Sequence, residues 1–151
     1  MPDSINNQLP VNIIMIEDDE GHARLIEKNI RRAGISNVIH HFTDGTSGLE
    51  HIFSAPEGPV KNGPALILLD LNLPDMSGTD ILAKIKADTK LRRTPVVILT
   101  TTDDKYEIQR CYDLGCNVYI TKPVNYENFA AAIRQLGLFL SVMQVPDAGG
   151  E

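Results

Sequence analysis

Cysteine is scarce in this sequence. Its 151 residues include only two, Cys111 and Cys116, and their spacing is not the C-x-x-C pattern of redox or zinc sites. We expect free thiols that fill core space, as is usual in the cytosol. The histidines form no ligand-spaced set with the cysteines, and we expect surface or edge positions for all of them: His22, His40, His41 and His51.

Positive charge and long apolar runs are lacking too. Asp and Glu number 20 against 14 Lys and Arg, a formal net charge of -6, which argues against a nucleic-acid surface or a polybasic membrane patch. No segment reaches the roughly 18 apolar residues of a membrane span, and residues 1–10 have no secretion-signal pattern. We therefore expect a cytoplasmic protein with neither nucleic acid nor membrane as a partner.

What the sequence does contain is a regular alternation of short apolar runs and amphipathic segments. The most informative run, residues 65–69, is apolar throughout and is followed by Asp70. An unbroken run of this kind predicts a strand buried on both faces of a parallel sheet. The full pattern predicts five strands, at 11–16, 38–42, 65–69, 95–99 and 117–121, and five helices, at 22–33, 46–53, 79–88, 106–114 and 126–143.

This alternation predicts an α/β domain with a parallel sheet and helices on both faces. The length of the chain suits one domain. We expect that domain to cover residues 11–143, between a flexible N-terminus at 1–10 and a C-terminal tail at 144–151.

Polar side chains follow four of the predicted strands, where parallel strands bring their carboxyl ends to one edge. They are Glu17 and Asp18, Asp70, Thr100 and Lys122. Clustered carboxylates repel one another and need a cation, and hard oxygen ligands suit Mg²⁺. Taken singly, the acids could cap a helix or a turn and the Thr run could be turn chemistry. Their joint placement instead indicates a carboxylate, Asp70, equipped to accept a phosphoryl group.

The sequence resembles the receiver domains of two-component response regulators over about residues 11–140. The matching segments are Ile-Glu-Asp-Asp at 16–19, Leu-Leu-Asp-Leu-Asn-Leu-Pro-Asp-Met-Ser-Gly at 68–78, Pro-Val-Val-Ile-Leu-Thr-Thr at 95–101 and Tyr-Ile-Thr-Lys-Pro at 119–123. The resemblance implies a flavodoxin-like fold with strand order 2-1-3-4-5. It also implies that Asp70 is the phosphoacceptor.

The same resemblance implies roles for the neighbouring residues. Glu17, Asp18, Asp70 and the main-chain carbonyl of Asn72 would bind Mg²⁺. Thr100, Thr101 and Lys122 would contact the phosphoryl oxygens, and Thr100 and Tyr119 would be the moving parts of a switch. The Lys122-Pro123 peptide bond would be cis.

A narrower resemblance is to the small stand-alone regulators that work with bacterial phytochromes. It rests on the long loop 54–64 and on these segments: Leu-Leu-Asp-Leu-Asn-Leu-Pro at 68–74, Ile-Lys-Ala-Asp at 85–88, Leu-Arg-Arg-Thr-Pro-Val-Val at 91–97, Leu-Thr-Thr-Thr at 99–102 and Tyr-Asp-Leu-Gly-Cys at 112–116. It implies a phytochrome-type histidine kinase as partner. Leu140 is a departure, since that subgroup often has a bulky aromatic residue there.

Three functions are compatible with this pattern. The first is a phosphorylatable switch that is not an enzyme and acts by binding another protein, since we expect no DNA-binding module. The second is an aspartyl-phosphate phosphatase or phosphotransferase of the haloacid dehalogenase type. That family needs an Asp two residues after its nucleophile, where this chain has Asn72, which cannot act as a general base. The third is a receiver that no longer takes phosphate, and the intact acidic and basic residues argue against it.

The final predicted helix is apolar nearly all round, which a helix on a sheet surface should not be. Side chains outside its core-facing stripe would form an exposed apolar patch, and such patches mark interaction sites. We expect a homodimer through this helix, although the helix end could instead bend back and bury both faces. The contact residues would be Leu138, Phe139 and Val142.

Overall fold

A computed structural model describes residues 11–54, 65–132 and 134 of the chain. The strands are β1 (Asn12–Ile16), β2 (Ile39–Phe42), β3 (Ala65–Leu69), β4 (Val96–Thr100) and β5 (Val118–Thr121). The helices are α1 (Glu20–Arg32), α2 (Gly45–Ile52), α3 (Gly78–Ala87), α4 (Lys105–Leu114) and a final helix, α5, which is described over 126–132 and again at 134. Each predicted element is present, and each boundary that can be compared lies within two residues of its prediction.

The strands form one parallel sheet in the order β2-β1-β3-β4-β5, which confirms the predicted topology. Because β3 lies at the centre, all five of its residues are buried. Side chains alternate between the two faces of a strand, so the sheet has a core on each side. One core packs under α1 and α5, and the other under α2, α3 and α4.

The helices begin where side-chain oxygens can cap free backbone N–H groups. Asp19 caps α1, Asp44 caps α2, Ser77 caps α3 and Asp104 caps α4. Helix α4 ends at Gly115, whose φ of 109° is a left-handed conformation that glycine adopts readily. Each of the first four helices thus starts at the edge of the sheet where the preceding strand ends.

Both cysteines are buried free thiols, as predicted. Burial raises the pKa of the Cys116 thiol to about 12, so this thiol stays protonated at neutral pH. Among the histidines, His51 is more enclosed than expected. Its ring lies against His40 and Phe42, with centroid separations of 5.3 and 5.0 Å, because the end of α2 packs onto β2.

None of the helices in the described residues has both the length and the apolar character that a membrane crossing requires. The predicted dimer contact residues, Leu138, Phe139 and Val142, lie outside the described residues, as do the expected terminal segments 1–10 and 144–151.

Candidate functional site

The carboxyl ends of β1 and β3 bring three acidic side chains together. Glu17 and Asp18 follow β1, and Asp70 follows β3. Carboxylate oxygens of the three residues all lie within 4.8 Å of one another. Glu17 and Asp70 are buried, whereas Asp18 faces solvent. This arrangement gives two buried carboxylates and one that opens to water.

Lys122 lies between the two buried acids. Its Nζ contacts Glu17 Oε1 in a short ion pair and lies 3.1 Å from Asp70 Oδ2. All three side chains are nearly buried, with exposed fractions of 5%, 2% and 7% for Lys122, Glu17 and Asp70. Burial raises the pKa of Glu17 above its usual value, while the hydrogen bond from Lys122 opposes that shift. The lysine therefore supplies the only buried positive charge beside these acids among the described residues.

Asp70 is held by its own loop as well as by the lysine. The backbone N–H of Asn72 donates to Asp70 Oδ1 at 3.1 Å, and the N–H of Asp70 donates to the carbonyl of Ile16 at 3.0 Å, which extends the sheet by one bond. Gly78 then passes so close to the Asp70 carbonyl that a Cβ atom there would collide with it. A glycine is therefore needed where the loop returns to begin α3.

The side chain of Asn72 connects the loop after Asp70 to two threonines at the end of β4 and just beyond it. The Asn72 side-chain amide donates to Thr100 Oγ1 at 3.3 Å and to Thr102 Oγ1 at 3.2 Å. Thr100 is fully buried, whereas Thr101 is exposed. The structure thus brings Asn72, Thr100 and Thr102 together above the end of β4, and sequence reasoning did not single out Thr102.

Tyr119 on β5 reaches back over this connection. Its hydroxyl donates to the main-chain carbonyl of Thr102 at 2.6 Å, and its backbone N–H donates to the hydroxyl of Tyr112 at 3.1 Å. Burial raises the pKa of the Tyr119 hydroxyl to about 12. Tyr119 is therefore hydrogen-bonded to Thr102, the residue whose hydroxyl also binds the Asn72 side chain.

At the end of β5, the Lys122-Pro123 peptide bond is cis, the isomer that the family resemblance implies. The N–H of Lys122 donates to the Thr100 carbonyl at 2.7 Å, so the chain stays paired to β4 as far as the lysine.

Two further residues, to which the sequence analysis gave no role in the site, make contacts between distant parts of the chain. His22 Nδ1 lies 3.0 Å from Lys122 Nζ. Asp75 accepts hydrogen bonds from the N–H groups of Gly45 and Thr46, each at 2.8 Å, and from the Thr46 hydroxyl at 2.5 Å. Neither contact could be found from local sequence, because each joins elements far apart in the chain.

Asp75 ties the loop that follows the central strand to the start of α2. Hydrogen bonds from the Thr46 hydroxyl and then from the N–H groups of Gly45 and Thr46 lower its pKa to about 2, against an ordinary value near 3.9. A lowered carboxyl pKa stabilises the fold above the unfolded-state pKa, and that stability is lost as pH falls through the folded-state pKa.

We therefore expect wild type to melt above Asp75→Asn at pH 7, and the difference to shrink as the pH falls from about 4 to about 2. Thermal unfolding followed by circular dichroism across this range would measure it. Asp80→Asn, a neutralised exposed acid in the first turn of α3, is the matched control. A difference between wild type and Asp75→Asn that stays constant over this range would contradict the assignment.

Comparison with known proteins identifies the architecture. A family model described as the response regulator receiver domain matches residues 13–134. The chain belongs to the receiver domain family. This match spans most of the sequence and includes every residue of the acidic cluster and Lys122.

Several relatives show how similar the chain is to other receivers. A receiver domain from Rhodospirillum rubrum, solved by crystallography, is 71% identical with a TM-score of 0.75, covering 90% of this chain and 97% of that one. Response regulator Rcp1 of Synechocystis is 32% identical over 92% of this chain and 95% of its own, and a Mn²⁺-bound form of Rcp1 superposes with a TM-score of 0.69. The phosphorylated cyanobacterial phytochrome response regulator RcpA is 32% identical with a TM-score of 0.71, covering 92% of this chain and 100% of its own.

These neighbours confirm both the receiver fold and the narrower resemblance. Stand-alone phytochrome response regulators are among the proteins to which this chain is similar over nearly its whole length. The chain is thus a receiver-domain response regulator with phytochrome response regulators among its homologues.

Proposed function

We propose that this chain is a phosphorylation-dependent switch that accepts a phosphoryl group on Asp70 from a histidine kinase. The single observation that carries the proposal is the position of Asp70. It is a buried strand-end carboxylate within reach of two further acids and a buried lysine. In the reaction, a carboxylate oxygen of Asp70 forms a bond to phosphorus while the bond from phosphorus to the donor nitrogen breaks, and the nitrogen keeps the electron pair.

Glu17, Asp18 and Asp70, together with the main-chain carbonyl of Asn72, are the residues that would hold Mg²⁺. Three carboxylates with oxygens within 4.8 Å of one another fit a hard divalent cation, and the exposure of Asp18 leaves room for coordinated water. Mg²⁺ at this position would neutralise charge on the phosphoryl oxygens. That Rcp1 has been solved with Mn²⁺ bound supports a divalent cation here.

The chain's own residues would stabilise the rest of the transferring group. Lys122 offers a positive charge at 3.1 Å from Asp70 Oδ2. Thr100 and Thr101 would bind phosphoryl oxygens, with the Thr100 hydroxyl 3.3 Å from the Asn72 side-chain nitrogen. Positioning and electrostatic stabilisation of this kind provide most of the catalysis of phosphoryl transfer.

Tyr119 and Thr100 would then convert phosphorylation into a change of surface. The Tyr119 hydroxyl bonds to the carbonyl of Thr102, two residues after Thr100, so a shift of Thr100 toward the phosphoryl group would alter the packing of the ring. We treat this as a shift between two populated packings. The output would be binding to another protein.

We propose a bacterial phytochrome as the kinase partner, because Rcp1 and the phytochrome response regulator RcpA are similar to this chain over nearly its full length. The proposed location is the cytoplasm. The test is incubation with Mg²⁺ and a small acyl-phosphate donor, and then with candidate histidine kinases, phytochrome-type kinases first. Intact-mass measurement should show a gain of one phosphoryl group. An unchanged mass with every donor would contradict the proposal, and an unchanged Tyr119 ring NMR signal after phosphorylation would contradict the switch.

The alternative, an enzyme of the haloacid dehalogenase type, would turn over an organic phosphate ester many times. The residue at the position of the required general base, Asn72, argues against this alternative. Its side-chain amide donates to Thr100 and Thr102, and an amide cannot take the proton that a general base must accept.

Mg²⁺ should raise the melting temperature of the wild type, because a ligand that binds only the folded state stabilises it. At ten times its dissociation constant the gain is about 1.4 kcal/mol, or roughly 3–6 °C for a chain of this size. Asp18→Ala should show less than half of that shift.

Asp19→Asn is the matched control for this measurement. It neutralises the adjacent acid but preserves an N-cap residue for α1, and it should keep most of the Mg²⁺ shift. Equal shifts in wild type and Asp18→Ala would remove Asp18 from the metal site.

A homodimer through the last helix remains part of the proposal, with Leu138, Phe139 and Val142 as its contact residues. We expect light scattering at micromolar concentration to give twice the mass of the 16.6 kDa chain, and the double variant Phe139→Glu/Val142→Glu to be monomeric. A monomeric wild type, or a double variant that dimerises with unchanged affinity, would show that the apolar helix has another use.

A further inference from the structure

The ammonium group of Lys122 has three contacts, and the third is not an acid. Glu17 Oε1 and Asp70 Oδ2 provide two acceptors, and His22 Nδ1 lies 3.0 Å away as the third. An ammonium carries three protons and accepts none, so these neighbours account for every hydrogen bond that Lys122 Nζ can donate. His22 Nδ1 must then be the acceptor, which places the ring proton on Nε2.

His22 is held in position by the start of α1. Its backbone N–H donates to Asp19 Oδ1 at 2.9 Å, as part of the N-terminal cap. The ring also lines a small cavity of about 70 Å³ together with Leu25, Ile26 and Pro123. The helix cap therefore fixes the backbone of His22, and its partly exposed ring is held by the contact with Lys122.

The three acceptors of Lys122 have different roles in the proposed reaction. Asp70 becomes esterified, and Glu17 is a proposed Mg²⁺ ligand, so the contacts that these two carboxylates make with Lys122 must change during the reaction. His22 is uncharged when it accepts, and it belongs neither to the proposed metal ligands nor to the phosphoacceptor. Its contact with Lys122 can persist throughout.

We infer that His22 is a positioning residue for phosphoryl acceptance, which holds the Lys122 ammonium toward Asp70 through Nδ1. This inference rests on the proposed function of Asp70. Without His22, one proton of the ammonium loses its protein acceptor, and the lysine can turn away from the transferring group. Because the His22 side chain is partly exposed and water competes for the contact, we expect the effect of an ordinary hydrogen bond, a loss of rate of about fivefold to tenfold.

The experiment compares two substitutions of His22. His22→Ala removes the acceptor, and because the side chain is exposed and Ala favours helix, the fold should tolerate it. His22→Asn puts an amide oxygen where Nδ1 lies and so keeps the acceptor. Phosphorylation by a small acyl-phosphate donor at saturating Mg²⁺ should be about fivefold to tenfold slower in His22→Ala and within about twofold of wild type in His22→Asn.

Two controls distinguish a positioning role of His22 from a general loss of structure or of Mg²⁺ binding. Lys28→Ala, at an exposed position on the same helix, should phosphorylate at the wild-type rate. The Mg²⁺-induced shift in melting temperature should be the same in wild type and His22→Ala, because no proposed metal ligand has changed. A reduced Mg²⁺ shift in His22→Ala, or a His22→Asn variant as slow as His22→Ala, would overturn the positioning role.

The failure of this inference is distinguishable from the failure of the proposed function. If wild type gains no phosphoryl mass from any donor, the proposed function is wrong and the role of His22 in that reaction is wrong with it. If wild type is phosphorylated and His22→Ala is phosphorylated at the same rate, Asp70 keeps its role and the inference about His22 alone is wrong.

Discussion

Asp70→Asn should gain no phosphoryl group from any donor that phosphorylates the wild type. The amide cannot act as the nucleophile, and among the described acids Asp70 is the one that directly follows the central strand β3. The loss should be complete, because no other carboxylate among the described residues contacts both Lys122 and Asn72.

The fold of this variant should survive. Asn is nearly isosteric with Asp, and replacing one of three clustered acids relieves their repulsion. In the absence of Mg²⁺, its melting temperature should therefore equal or exceed that of the wild type. Lys122 keeps its contact with Glu17 in this variant, so the substitution does not leave the ammonium without an acidic partner.

Intact-mass measurement after treatment with the acyl-phosphate donor would test the prediction, with circular dichroism to check the fold. Asp80→Asn, which neutralises an exposed acid at the start of the next helix, should gain the phosphoryl group as the wild type does. A full mass gain in Asp70→Asn would place the acceptor at another residue.

The fold was predictable because its signal is local. The unbroken apolar runs of β3 and β4 require burial on both faces, and parallel order follows from the alternation of strands and helices. Helix boundaries differ from the predicted ones by one or two residues where a capping side chain sets the first residue of the helix. Helix α1, for example, begins at Glu20 because Asp19 caps it, whereas the apolar spacing begins only later, at Ala23.

Only those residues of the candidate site that directly follow a strand were predictable from the sequence. Parallel strands bring Glu17, Asp18 and Asp70 to one edge, and the structure shows them together. The contacts of His22 and Asp75 were missed because they join residues 100 and 30 positions apart. Such contacts depend on how α1 and α2 lie against the loops, which no periodicity encodes.

Lys122→Met should lower the stability of the metal-free protein by a large amount. The Lys122 side chain is 5% exposed and contacts the side chains of Glu17 and Asp70, which are 2% and 7% exposed. Met has a similar length without the charge, so the substitution leaves two buried carboxylates facing each other. Removing one partner of a buried ion pair costs about 3–5 kcal/mol of stability. At this sheet edge, where the neighbouring Asp18 faces solvent, we expect a cost of about 2–4 kcal/mol.

A loss of this size corresponds to a fall in melting temperature of roughly 5–15 °C at pH 7. Two conditions should reduce the loss. Mg²⁺ should stabilise Lys122→Met more than it stabilises the wild type, because the cation replaces the missing positive charge. The double variant Glu17→Gln/Lys122→Met should be more stable than Lys122→Met, because one of the two unpaired carboxylates is gone.

The pH dependence of the stability of Lys122→Met is an independent test. Burial already raises the pKa of Glu17 in the wild type, and the hydrogen bond from Lys122 opposes that shift, so removing the lysine should raise the pKa further. A carboxyl whose pKa is higher in the folded state binds protons preferentially there, and stability then increases as pH falls through that pKa toward the unfolded value near 4.3. Thermal unfolding without Mg²⁺ should therefore show the gap between wild type and Lys122→Met closing as pH falls from 7 to about 5. A variant that melts with the wild type at pH 7, or a gap that widens on acidification, would show that Lys122 does not neutralise these acids in the folded protein.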